Sequence, residues 1–430
     1  MIKIKTVIGV LCIFAVFNLN AQILTIDDCY QLANDNFPVI KQYELIEKTK
    51  DFSIENAQKA LLPQFGIYGQ ASYQSEVVRF PFDFANVPVA GLSDMKMPTL
   101  SKDQYRLYGE LSYSLTDLIT NKNRIDLVKA NAEIESQKIE VELYKLRERI
   151  NSLFFGILLI DAQIVQTELV KKDIQNGIAI AETSIANGVA IKSAADNLKA
   201  ELLKVKQRVT EMSATRKGYA EMLSLFIGQK IDENTVFEQP VTKTVSHENN
   251  RPEIRLFDMQ NRAFELHDQM ITNKNLPRVS LFFQGGFGKP ALNILSDNFD
   301  PYYITGLRLS WNLSGYYYAK NERKQIAINQ SGVQIQRETF LFNTNLAISQ
   351  QNTEIAKMQE LVADDDEIIR LRETVKKAAQ TQLENGTATT NDYMIAVNAE
   401  DQARQNRILH EIQFIMAQYN AQTTIGNTNN

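Results

Sequence analysis

Apolar and polar positions recur along this chain with two different periods. In four short segments the period is two. Residues 65–75 place Phe65, Ile67, Gly69, Ala71 and Tyr73 on one side and Gly66, Tyr68, Gln70, Ser72 and Gln74 on the other. Residues 105–115 set Tyr105, Leu107, Leu111, Tyr113 and Leu115 against Arg106, Glu110, Ser112 and Ser114. Residues 279–287 set Val279, Leu281, Phe283 and Phe287 against Ser280, Phe282 and Gln284. Residues 303–313 set Tyr303, Leu307, Leu309, Trp311 and Leu313 against Arg308, Ser310 and Asn312. This alternation predicts strands near 64–76, 104–116, 278–288 and 302–314, each with one apolar face. At about ten residues they have the length a tilted strand needs to cross a bilayer. Aromatics at their ends (Tyr302, Tyr303, Trp311 and Tyr316 to Tyr318) suit an interfacial girdle. Strands of a soluble sandwich alternate too, but four are few for a chain this long.

Elsewhere the period lengthens. Ile139, Leu143, Leu146, Ile150, Leu153, Ile157, Ile160 and Ile164 step by fours and threes, and the phase runs on to Ile174, Ile178, Ala181 and Ile185, broken by Thr167 and Lys171. Such a heptad seam, with no proline from Asn121 to Ala186, predicts a helix roughly 100 Å long. A second proline-free stretch, 320–384, has a looser seam of Leu341, Ile348, Ile355, Val362 and Ile369. Each stretch stops at Asn-Gly, a helix C-terminal signal. Returning helices are expected near 194–226 and 392–423, with Ser193 and Asn391 as N-caps. Shorter helices are expected at 38–61 and 252–275, where Pro38 and Pro252 fit a first turn.

These elements form a duplication. Asn36-Phe37-Pro38-Val39-Ile40 returns as Asn250-Arg251-Pro252-Glu253-Ile254, Leu62-Pro63-Gln64 as Leu276-Pro277-Arg278, and Gln70 as Gln284, all 214 positions on. Leu111 to Leu115 returns as Leu309 to Leu313, Lys122-Asn123 as Lys320-Asn321, Asn187-Gly188 as Asn385-Gly386, and Ile227-Gly228 as Ile425-Gly426, all 198 positions on. The change of offset places a longer loop in the first half, at roughly 77–103. The organisation reads as a first repeat over 22–228, a connecting segment over 229–249, a second repeat over 250–426 and a tail over 427–430.

Composition narrows the function. Charged residues make up 23% of the 430 and hydrophobic ones 44%, ordinary for a folded protein in contact with water. The formal charge of −5 and the lack of a basic, aromatic-laced patch argue against nucleic acid. Lys3 and Lys5, the apolar run Val7 to Phe17 and the small residues before Gln22 read as a signal peptide over 1–21. Its removal would shift the charge from −5 to −7. Cys12 would leave with it, although a lipid-modified Cys12 is an alternative. Cys29 would be alone, with no intrachain disulfide. His247, His267 and His410 lack metal-ligand spacing, and Gly285-Gly286-Phe287-Gly288 lacks the context of a phosphate loop. The ten methionines show no cluster. No enzyme, metal or cofactor is expected.

Four strands cannot close in lipid, because their edges would leave backbone groups unpaired. Edges and heptad seams both call for a cyclic assembly. Together the signal, the duplicated strand–strand–long helix–Gly turn–helix unit and the Leu-Pro before each first strand resemble the TolC-like outer-membrane efflux proteins. The likeness covers residues 22–426. It implies a homotrimer in which four strands per protomer complete a 12-stranded barrel, continued by a coiled-coil α-helical tunnel in the periplasm. A periplasmic adaptor and an inner-membrane pump or ABC transporter are the implied partners, in efflux or type I secretion. An exported periplasmic coiled-coil structural or adaptor protein is the other reading. It accounts for the heptads and leaves the amphipathic strands unexplained.

The resemblance also implies working residues. The two turns, Asn187, Gly188, Val189 and Ala190 with Asn385, Gly386, Thr387 and Ala388, would dock the adaptor. Asp392 would face the tunnel near its constriction, where three copies form an acidic ring. The matching first-half position is Ala194, with Asp196 two residues off, and Ile395 stands where similar proteins tend to carry a second acid. Leu107, Leu111, Tyr113, Leu307, Leu309, Trp311 and Leu313 would face lipid. Asp364-Asp365-Asp366-Glu367 reads as a solvated helix face.

Overall fold

The structure is a computed structural model that describes residues 23–78, 100–241 and 249–427. The expected signal peptide, Cys12, most of the long first-half loop, His247 and residues 428–430 lie outside them. In chain order the elements are β1 (Ile23–Leu24), α1 (Ile26–Asn36), a 3-10 turn (Pro38–Lys41), α2 (Gln42–Lys59), β2 (Gln64–Tyr73), β3 (Asp103–Ser114), α3 (Leu115–Ala186) and α4 (Lys192–Ile227). There follow β4 (Val236–Phe237), α5 (Pro252–Lys274), β5 (Arg278–Lys289), β6 (Asp300–Ser310), α6 (Gly315–Glu384) and α7 (Thr390–Ile425). Two compact units result, one from Lys41–Val141 and Pro252–Phe342, the other from Met1–Ile40, Glu142–Arg251 and Asn343–Asn430. Both halves of the duplication contribute to each unit.

The first unit holds a four-stranded antiparallel sheet in the order β2-β3-β5-β6. Each repeat supplies one hairpin, and β3 against β5 joins them. Thr116, in the first turn of α3, fixes the start of β5: its hydroxyl donates to Pro277 O (3.0 Å) and accepts from the Val279 N–H (2.9 Å). In the helices, Ala130 and Ile134 of α3 bury against Ala263 of α5, with Leu256, Met259 and Leu266 around them. Arg323 of α6 pairs with Asp268 of α5 at 3.1 Å.

Among its described residues, the second unit has helices and one two-residue parallel bridge, of β1 with β4. Cys29 is fully buried and unbridged on α1, and burial, then the charge of Asp28, pushes its thiol pKa up to about 12. In α3, one 18-residue window reaches a mean hydropathy of 1.6, enough by length and composition to cross a membrane, but half of it is buried within the chain. Ile150, Phe154 and Ile157 of α3 are fully buried.

The breaks in the α3 seam have a structural cause. Thr167 is fully buried; its hydroxyl donates to Gln163 O (2.7 Å) and accepts from Arg208 of α4 (3.1 Å), which also pairs with Asp401 of α7 at 2.8 Å. A polar layer thus crosses three helices, from Thr167 of α3 through Arg208 of α4 to Asp401 of α7. Lys171 turns to Glu168 on its own helix at 2.7 Å.

The loose seam of α6 is explained in the same way. Ile348, Ile355, Val362 and Ile369 are half-buried, and the positions that interleave with them are Thr344, Gln351, Met358 and Asp365, all buried or half-buried. One column of the seam is therefore mostly polar. The solvated reading of the acidic run holds for Asp364, Asp366 and Glu367, which are exposed, and is corrected for Asp365 alone: it is buried and sits 2.6 Å from His410 Nδ1 of α7, while the exposed Asp366 accepts from Arg407 at 2.7 Å. Nearby, Lys376 of α6 bridges Asp173 of α3 (2.9 Å) and Glu400 of α7 (2.6 Å). Burial opposes its charge, yet the bonds to Glu400 and Asp173 hold its pKa above the ordinary lysine value.

Candidate functional site: an amphipathic sheet and two helical turns

Register decides what each face of the sheet presents. Phe65, Leu111, Phe283 and Thr305 form one row across the four strands, and Ile67, Gly109, Gly285 and Tyr303 form another. Tyr113, Leu281 and Leu307 align, as do Val279 and Leu309. All odd-numbered side chains therefore share one face. Phe65, Leu107, Leu307 and Leu309 are each at least 60% exposed there, so among the described residues nothing covers these side chains. The even face carries Gln64, Gln70, Ser112, Glu110, Gln284 and Arg308, together with Tyr68, Tyr108, Phe282 and Tyr302. On it Arg308 pairs with Glu110 at 2.7 Å and lies over the Phe282 ring at 4.5 Å. Among the described residues, the outer strands β2 and β6 each pair on one side alone.

The structure moves two expected strand residues. β6 ends at Ser310, so Trp311 and Leu313 lie in the turn before α6. Trp311 is anchored there, its indole N–H donating to Asn275 O at 3.0 Å. Of the proposed girdle, Tyr302 and Tyr303 point to opposite faces. Phe65, Ile67, Phe283 and Phe287 join the apolar face instead; their alternation was visible in the sequence, but only register ties them to Leu107 and Leu307.

The two turns are built alike. After α3, Gly188 N–H donates to Ile185 O (3.0 Å) and Val189 N–H to Ser184 O (2.9 Å); after α6, Gly386 donates to Leu383 O (3.1 Å) and Thr387 to Gln382 O (2.9 Å). This paired bonding closes a helix through a left-handed residue, and both glycines have positive φ, 75° and 69°. Val189 and Ile191 are 70% and 74% exposed at the first turn. Behind the turns, Tyr393 is buried with Ile174, Ala181, Leu198, Leu383 and Val397, and its hydroxyl donates to Asp173 O at 3.1 Å.

The expected N-caps are both corrected. Ile191 precedes α4 with no side-chain cap, and Thr389 caps α7. The Thr389 hydroxyl and N–H donate to Asp392 Oδ2 (2.7 and 3.0 Å), and the Asp392 N–H donates to Thr389 Oγ1 (3.2 Å). Asp392, an expected gate residue, thus closes a capping box while exposed. Asp196 and Ile395 are exposed as well. The hydrogen bonds from Thr389, that of its side chain first, hold the Asp392 pKa below the ordinary aspartate value. A depressed carboxyl pKa stabilises the fold above the ordinary value and loses that contribution as pH falls through the lowered one. Amide-exchange protection at the start of α7 is therefore expected to decline below about pH 4, and Thr389→Ala should remove it at neutral pH. Protection that does not change with pH or with this substitution would refute the capping assignment.

Among the described residues no three His, Cys, Asp or Glu side chains gather as metal ligands.

No family model and no curated protein matches the chain. Solved structures do. The outer-membrane protein VceC of Vibrio cholerae superposes with a TM-score of 0.65 at 14% identity, covering 93% of this chain and 96% of that one. CusC, described in terms of transmembrane channel formation, gives 0.66 at 12% identity over 93% and 91%. This chain has the TolC-like outer-membrane channel fold. The MtrE outer-membrane channel of Neisseria gonorrhoeae, in its open state, matches at 0.63 and 12% identity over 93% and 88%. The resemblance read from the duplicated layout thus holds for the fold, and of these three proteins CusC and MtrE are described in terms of a channel.

Proposed function

We propose that the chain is one protomer of a trimeric outer-membrane channel, the passive exit component of an efflux or type I secretion system. The uncovered apolar face of the sheet carries this reading. Exposed Phe, Leu, Ile and Tyr side chains on alternate positions suit contact with hydrocarbon, and the two free edges suit closure with further copies into a barrel. Three copies would give 12 strands, with the even face lining water. A soluble coiled-coil component would leave the same face against water. The closed turns with exposed Val189 and Ile191 support docking of an adaptor hairpin, through Asn187 to Ala190 and Asn385 to Ala388, and through it an inner-membrane pump or ABC transporter.

The expected result is a protein that stays with outer membranes through carbonate washing and runs as a crosslinked trimer. A monomer released by carbonate would overturn the reading. Asp392, repeated three times, is proposed to favour cations at the narrow end of the tunnel, with Asp196 nearby. In planar bilayers Asp392→Asn should then weaken divalent-cation block, whereas Thr389→Ala, which removes the cap and keeps the charge, should preserve it. Equal effects from the two variants would reduce Asp392 to a capping residue.

A further inference from the structure

We propose that the even-numbered face of the sheet favours anionic solutes with an aromatic or apolar body, drawn by Arg106. The inference rests on the barrel reading, which turns that face to the lumen. Tyr68, Tyr108, Gly286 and Tyr302 are register partners in a single row across all four strands. The rings of Tyr68 and Tyr108 stack with centroids 5.4 Å apart. On one side of this row lie Gln70, Arg106, Gly288 and Asp300, and on the other Gly66, Glu110, Gln284 and Ile304.

The charges on this face do not balance. Glu110 is held by Arg308 and by the Gln284 amide, so that pair is internally neutral. Asp300 shares a row with Arg106 but stands two strands away, about 10 Å at ordinary strand spacing, and its Oδ2 accepts from Ser296 Oγ at 2.7 Å. Arg106 is exposed and, among the described residues, has no salt-bridge partner. Arg278, at the start of β5, is likewise exposed and free. Two unpaired arginines thus stand against one aspartate. In a threefold barrel Arg106 would recur three times at one level, and rings of like charge set the sign preference of a pore. A guanidinium offers forked donors to a carboxylate, sulfonate or phosphate, and the neighbouring tyrosine row offers flat apolar surface to the rest of such a solute.

The test uses the full-length chain in outer membranes, with Cys12→Ala and Cys29→Ala as background. Gln70→Cys reports beside Arg106, and Leu107→Cys on the opposite face. Anionic sulfonatoethyl and cationic trimethylammonioethyl methanethiosulfonates label exposed thiols at rates that follow the local potential. The anionic-to-cationic rate ratio at Gln70→Cys should fall at least threefold when Arg106→Gln is added. Naphthalenesulfonate should slow labelling at Gln70→Cys more than equimolar methanesulfonate does. A ratio indifferent to Arg106→Gln overturns the charge assignment, and equal protection by the two sulfonates overturns the aromatic one. Leu107→Cys labelling as fast as Gln70→Cys, or a Gln70→Cys that never reacts, overturns the barrel reading itself.

Discussion

Leu307→Arg should abolish assembly of the chain in the outer membrane. Leu307 lies within β6, in register with Leu281 and through it with Tyr113, and it is 68% exposed. If this face meets hydrocarbon, an arginine near the midplane costs about 2–4 kcal/mol, falling towards the interfaces. A trimer carries the change three times, so the penalties reinforce one another within a single closing barrel. Ser112→Arg is the control: it adds the same charge in β3, two strands away in the same sheet and on the opposite face, where water would solvate it. Leu313→Arg, beyond the end of β6, should be milder. The measurement is the amount of crosslinkable trimer in carbonate-washed membranes for the three variants. Wild-type trimer from Leu307→Arg, or equal loss from Ser112→Arg, would show that the odd face does not meet lipid.

The strands were legible because their two faces meet opposite environments, so each side chain carries a sign that alternates strictly. Their ends were less so. β3 passes into α3 between Ser114 and Leu115 with no intervening residue, and the stretch Leu115 to Thr120 is rich in residues at home in either element. The sequence therefore placed the helix start at Asn121. The cap of α7 was readable in principle, since Thr389 and Asp392 have the spacing of a capping box, but Asn391 offered a competing cap. The buried polar contacts were not readable at all. Thr167 meets Arg208, which pairs with Asp401, and Asp365 meets His410, across helices that no local pattern links. A buried acid on α6 looks like a solvated one until its partner is known.

Gly286→Val should prevent the two repeats from forming one sheet. β3 belongs to the first repeat and β5 to the second, so their ladder is the joint between the hairpins. A Cβ on Gly286 would stand 2.1 Å from Leu107 O and 2.5 Å from the Tyr108 Cα, both backbone atoms of β3. Side chains can swing away from an intruding methyl group, but a paired strand can do so only by breaking its ladder. The cost should exceed the roughly 1–3 kcal/mol of ordinary overpacking. Gly306→Val provides the contrast, because its Cβ would meet only the Phe282 ring, at 3.4 Å. The far-ultraviolet helical signal should survive in both variants, since neither position touches the helices. Trimer should be lost for Gly286→Val and kept for Gly306→Val. The run Gly285-Gly286-Phe287-Gly288, which invites comparison with a phosphate loop, would then owe its composition to the closeness of two backbones. Normal assembly of Gly286→Val would mean that β3 and β5 pair in another register, and the rows of side chains derived from that pairing would have to be redrawn.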